Sequence, residues 1–174
     1  GDILHKKGEE QEAFAAYDSC LQWKDDNVMA LNNYAYYLSE KGVDLHKAES
    51  MSYKTIKAEP NNGTYLDTYA WILFMEERYA DAKTYIDQAL KNRDSTADNS
   101  TVLEHAGDIY YMNGMTDECV EFWKKAYTGE NQTEVLAWKI KNRQYITEEE
   151  LKKRNAPKQK PAATKKSVRK GKKK

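Results

Sequence analysis

The sequence predicts an all-α protein, an α-solenoid of stacked helix-turn-helix units, on three observations. The stretch GDILHKKG at residues 1 to 8 returns as GDIYYMNG at residues 107 to 114. Small residues recur at Ala13, Ala48, Ala82 and Cys119, spaced by 35, 34 and 37 residues. No window shows the strict alternation of a half-buried strand. Self-similarity at such a period marks a repeat architecture, in which each unit buries its apolar stripe against the next.

Four copies lie along the chain. The first is partial, over about residues 1–27, and runs from Gly1 and Leu4 through Ala13, Tyr17, Cys20 and Leu21. The second, over 28–62, carries Leu31, Tyr34, Ala35 and Leu38, then Ala48, Ile56 and Pro60; the third, over 63–94, carries Leu66, Tyr69, Ala70 and Leu73, then Ala82, Ile86 and Ala89. The fourth, over 100–129, carries Leu103, Ala106, Gly107 and Tyr110, then Cys119, Trp123 and Ala126. Apolar residues three and four apart give each helix one stripe for its partner and another for the next repeat. Ala35, Ala70 and Gly107 are small where two backbones should approach. Gly8, Gly42 and Gly114 should supply the positive φ that ends a helix, and Pro60 should stop the second copy. Two positions drift: Glu77 stands at the turn glycine and Ser52 at the aromatic.

These intervals resemble the tetratricopeptide repeat (TPR) family over residues 1 to about 127. The resemblance implies a right-handed superhelix whose first helices line a concave groove that receives a peptide or protein segment. Residues 133–146 read as an amphipathic capping helix, with Val135, Leu136, Trp138, Ile140 and Tyr145 as its apolar contacts, closing a solenoid over 1–146. The chain starts without Met, in the middle of an expected first helix, so a piece of a longer array is expected.

The formal charge of zero is segregated. Residues 151–174 hold 12 Lys and Arg and no acid, leaving 16 basic against 28 acidic groups in the other 150. In 147–174 a short helix, opened by a Thr147–Glu150 capping box, should lead into a disordered Lys-rich tail. Cys20 and Cys119 fall at helix-packing positions several helices apart and are expected to be buried, unbonded thiols. No long apolar run predicts a membrane span.

Carried over by the resemblance, the groove would present Asn32, Tyr36, Ser39 and Glu40, then Asp67, Trp71, Phe74 and Met75, then Glu104, Asp108, Tyr111 and Met112. Acids beside aromatics suit a protein or peptide partner offering basic and aromatic groups. The competing reading is that Trp71, Phe74 and Met75 only pack against neighbouring repeats. One TPR subtype clamps a C-terminal carboxylate with Lys, Asn and Arg; the corresponding places here are Asn32, Tyr36, Thr68, Thr101 and His105, without a cation, which argues against that ligand.

The tail cations Lys165, Lys166, Arg169, Lys170, Lys172, Lys173 and Lys174 form a second candidate site, for nucleic acid or an anionic membrane, against the plainer reading of a solvated terminus. The stretch KPAATKKSVRKGKKK is similar to the bipartite nuclear localisation signal of nucleoplasmin. The tail could also occupy an acidic groove in its own or a neighbouring molecule, which would be a route to self-association. No HExxH, GxSxG, phosphate-binding glycine loop or CxxC occurs, and the three histidines are scattered, so no catalysis, cofactor, metal or small-molecule substrate is expected. Glu104, His105 and Asp108 cluster on one predicted helix, where a polar groove lining is the simpler reading. Asn62-Gly-Thr, Asn99-Ser-Thr and Asn131-Gln-Thr are glycosylation triplets that matter only in a secretory host. The repeats are similar to those of bacterial TPR proteins, many of them attached to the cell envelope.

Overall fold

A computed structural model describes residues 8–23 and 27–156. The calls on residues 1–7 and on the Lys-rich tail from 157 onward lie outside the described residues. All regular structure within them is helical: α1 (Glu10–Trp23), α2 (Val28–Lys41), α3 (Leu45–Ala58), α4 (Gly63–Met75), α5 (Tyr79–Asn92), α6 (Ser100–Met112), α7 (Thr116–Ala126), a 3-10 turn (Gly129–Asn131), α8 (Glu134–Asn142) and α9 (Glu148–Asn155). Helices α2/α3, α4/α5 and α6/α7 form three successive hairpins, and α3 to α4 and α5 to α6 are the contacts that stack one hairpin on the next. Among the described residues no helix is long and apolar enough to cross a membrane.

The turns explain why the chain folds back at regular intervals. After α2, the Gly42 and Val43 N–H groups bond the Ser39 and Leu38 carbonyls; after α6, Gly114 and Met115 bond Tyr111 and Tyr110 in the same way. The glycines have φ of +63° and +77°, the left-handed conformation that lets these bonds close the helix end. Glu77 makes the same pair of bonds after α4, with Arg78 reaching Leu73, at φ +60°. The turn therefore survives the loss of its glycine, with a side chain held in a disfavoured region. Entry into α2, α4, α8 and α9 is capped by the side chains of Asn27, Asn62, Thr133 and Thr147, each accepting from a backbone N–H one turn in. Thr147 and Glu150 form the expected reciprocal capping box.

The repeat's small and aromatic positions meet in the interior. Ala13, Ala35, Ala48, Ala70, Ala82 and Cys119 are fully buried, as are Ile86 and Trp123 at the aromatic position. Each large apolar side chain so enclosed contributes about 1.5–3 kcal/mol. Ser52 at that position in the second copy is also enclosed, and its Oγ has no hydrogen-bond partner. At Gly107 the close approach is made by the Trp123 ring and not by a second backbone, a difference from the expectation. Two further expectations need correction. Cys20 is exposed, with its Sγ accepting from the side chain of Asn27 at the start of α2, while Cys119 is buried as expected. The capping helix α8 stops at Asn142 instead of 146, because Arg143 adopts the left-handed conformation at φ +54°. Residues 143–147 consequently leave the helix axis.

Candidate partner-binding groove

Helices α2, α4 and α6 bring most of the predicted groove residues to one face. Three rings on α4 and α6 form a continuous stack. Trp71 lies nearly parallel to His105 at 4.1 Å and to Phe74 at 4.7 Å. Tyr36 on α2 stands 6.2 Å from His105. Two of the rings are tied to an acid by a polar edge: the Trp71 indole N–H donates to Glu40 Oε1 at 2.9 Å, and His105 Nδ1 faces both Asp67 oxygens at 3.0 and 3.1 Å. Burial alone would lower the His105 pKa, but the Asp67 carboxylate, with Glu40 and Asp108 further off, holds it above its ordinary value. Nδ1–H therefore donates to Asp67. Burial, reinforced by the Glu40 and Asp67 charges, pushes the Tyr36 hydroxyl far above the usual phenol range.

The α6 acids meet a lysine from α8. Lys139 Nζ lies 2.8 Å from both Asp108 oxygens and 3.1 Å from Glu104 Oε1. Asp108 Oδ1 also accepts from the Trp123 indole N–H at 2.9 Å, and Glu104 Oε2 accepts from Asn131 at 3.2 Å. Burial by itself would depress the Lys139 pKa; Asp108 and Glu104 outweigh it and keep the ammonium charged. Tyr145, carried away from α8 by Arg143, then sets its ring edge-on to Phe74 at 5.7 Å and stands 6.4 Å from Tyr111, with the Lys139 ammonium 5.3 Å from its centroid.

Two clefts remain on this face. One, of about 430 Å³, brings together Tyr36, Glu40, Trp71, Met75, Glu104 and Asp108 of the predicted set, together with His105 and the later Lys139, Tyr145, Ile146 and Glu148. Of its four carboxylates, Glu104 and Asp108 bond Lys139, Glu40 accepts from Trp71 and Glu148 pairs with Lys152. The other, of about 560 Å³, brings together Asn32, Tyr36 and Asp67 with Thr68, Arg93 and Thr101. Asn32 is buried there, and its Oδ1 has no hydrogen-bond partner. Four predicted residues line neither cleft. Ser39 is fully buried with its hydroxyl donating to the Tyr36 carbonyl at 2.6 Å, and Phe74 lies under Trp71 and Tyr145. Tyr111 and Met112 are half-buried, Tyr111 beside Trp123 and Tyr145 and Met112 against the central core.

Lys139 and Tyr145 were missed as groove residues. A usable signal for Lys139 was its place three residues after Leu136, on the stripe that α8 must bury. Among the described residues, His46, Glu49 and Glu76 bring ligand-type atoms within 4.8 Å of one another, but Arg78 already bonds both carboxylates.

Stacked hairpins with acids and aromatic rings on one face define a helical-repeat solenoid. Comparison with known proteins narrows the class. The crystal structure of MamA superposes with a TM-score of 0.62 at 17% identity, covering 82% of this chain and 81% of that one. A tetratricopeptide repeat protein from Parabacteroides merdae gives 0.62 at 20% identity over 82% of this chain and 54% of its own. The first TPR domain of human RPAP3 gives 0.57 at 13% identity over 67% and 88%. In sequence, the TPR repeat-containing protein PA4667 of Pseudomonas aeruginosa is 35% identical over 66 residues, which is 38% of this chain and 11% of that protein. The chain thus spans about a tenth of that relative's length. No protein-family model matches the sequence. The chain has the fold of tetratricopeptide-repeat domains.

Proposed function

We propose that this domain is a non-catalytic scaffold whose concave face holds a polypeptide segment carrying basic and aromatic groups. One observation carries the reading: the chain's own Lys139 and Tyr145 already sit on this face as such a ligand would, the ammonium on Asp108 and Glu104 and the ring on Phe74. The cleft beside them continues the same chemistry with Glu40, Trp71 and Tyr36. An ammonium or guanidinium there gains charge pairing and a cation–π contact at once.

The test is calorimetric titration of the whole chain with peptides containing Lys or Arg beside Tyr or Phe, against controls with Glu in place of the cation. Binding that weakens with salt, and that falls in Glu40→Gln and in Trp71→Phe, supports the reading. Equal heats for cationic and acidic peptides would remove it.

The concentration of positive charge in residues 151–174 supports a second reading, in which the tail binds nucleic acid or anionic membrane, or the groove of a neighbouring molecule. Titrating nucleic acid and anionic vesicles at two salt concentrations, with and without residues 157–174, separates it from groove binding, and the sedimentation of both forms tests self-association. Placement at a bacterial cell envelope rests on the sequence resemblance, and fractionation of cells tests it.

A further inference from the structure

The connection between α8 and α9 runs over the groove, not around the outside. Tyr145 and Ile146 both line the smaller cleft, and Ile146 is 7% exposed. The segment has no helical hydrogen bonds of its own. It is fixed at its ends, by Arg143 bonded to Asp117 and by the Thr147–Glu150 capping box.

The helices on either side are secured differently. Helix α8 is held independently of the connection, by Leu136, which is fully buried, and by the Lys139 ion pairs. Helix α9 rests on α8 more loosely, through Leu151, an Asn155–Glu134 bond of 3.3 Å and Arg154 over the Trp138 ring, with a cleft of about 450 Å³ between the two helices. Lifting residues 144–147 therefore leaves the stacked hairpins and α8 intact.

The sequence of the connection matches what the groove selects. Tyr145 and Ile146 line a cleft that holds Glu40, Glu104, Asp108 and Glu148, and the exposed Lys141 and Arg143 precede that pair, Arg143 bonding Asp117 outside the lining. We propose that this connection is a strap occupying the groove's anchor site, and that a partner segment of the same chemistry enters by displacing it. That chemistry is one or two basic residues followed by an aromatic–aliphatic pair. The inference rests on the groove reading above. Its added content is that Tyr145 competes with the partner, so the domain binds more weakly than its groove allows.

The experiment uses the whole chain and a labelled peptide with the sequence of residues 141–148, Lys-Asn-Arg-Gln-Tyr-Ile-Thr-Glu, followed by fluorescence anisotropy. The strap predicts affinity higher by about tenfold or more for Tyr145→Ala than for the unaltered chain, since one half-buried ring no longer has to be expelled. A peptide with Ala in place of Tyr should show no such gain. Thr147→Ala keeps the Tyr145 and Ile146 side chains and removes the hydroxyl that caps α9 at the edge of the cleft, weakening the strap's anchorage, so it should show a smaller gain of severalfold; if circular dichroism finds Tyr145→Ala unfolded, this variant decides alone. Equal affinity in all folded proteins overturns the strap and leaves the groove reading standing. Absence of binding to every one of them overturns both.

Discussion

Gly107 and Trp123 pack so closely that a Cβ on the glycine would fall 2.3 Å from the indole Cδ1 and 2.4 Å from Nε1. The ring cannot give way. Trp123 is fully buried, and its N–H is fixed to Asp108. In an open helix Gly→Ala gains about 1 kcal/mol of propensity, whereas overpacking a closed core costs about 1–3 kcal/mol. At this spacing the clash should win. Gly107→Ala is expected to lower stability by about 1–2 kcal/mol in urea denaturation, and a stabilised variant would mean that the indole has room to shift.

The ion pair beneath the strap predicts an asymmetric response. Lys139→Met leaves the Asp108 carboxylate buried with only the Trp123 N–H to satisfy it, an uncompensated charge that costs about 3–5 kcal/mol. Replacing both partners, as in Lys139→Met with Asp108→Leu, removes the charge as well as its partner. The double variant should recover much of that loss, and a double-mutant cycle by urea denaturation measures the coupling. Additive effects of the two single changes would show that the pair does not act as a unit.

The His105–Asp67 pair gives stability a pH dependence of known sign. The folded-state pKa of His105 lies above the ordinary value of 6.5, so the native state retains a proton that the unfolded chain releases first. The contribution is fully present below pH 6.5 and is lost as pH rises from there through the folded pKa. Unfolding free energies measured across that range should therefore show the advantage of the unaltered chain over His105→Gln shrinking as pH increases. An advantage that grows with pH would reverse the assignment and indicate a neutral imidazole.

The repeat was legible because its signals are local. Small residues at fixed intervals, turn glycines and, in the first and fourth copies, an aromatic four residues after the small residue describe helix faces without reference to distant partners. The groove was legible only in outline. Trp71, Glu40 and Tyr36 reach it because helix phase places them there, whereas Ser39, assigned by the same alignment, turns inward and bonds the Tyr36 carbonyl. What escaped depends on contacts far apart in sequence. Lys139 finds Asp108 across 31 residues, and Tyr145 reaches Phe74 only because Arg143, a residue with no glycine-like signal, takes a positive φ.

Glu77 offers a test of the turn logic that runs through every repeat. It makes the same pair of carbonyl bonds as Gly42 and Gly114, but its Cβ must tolerate φ +60°, a conformation costing about 1–2 kcal/mol for a residue with a side chain. Glycine removes that strain. It also makes the unfolded chain more mobile, which offsets part of the gain. The Glu77 carboxylate is exposed, so little packing is lost with it. Glu77→Gly is expected to stabilise the domain by about 0.5–1 kcal/mol, visible as a higher urea midpoint at unchanged slope. A lower midpoint would mean that the side chain holds the turn through contacts that outweigh the strain of its backbone.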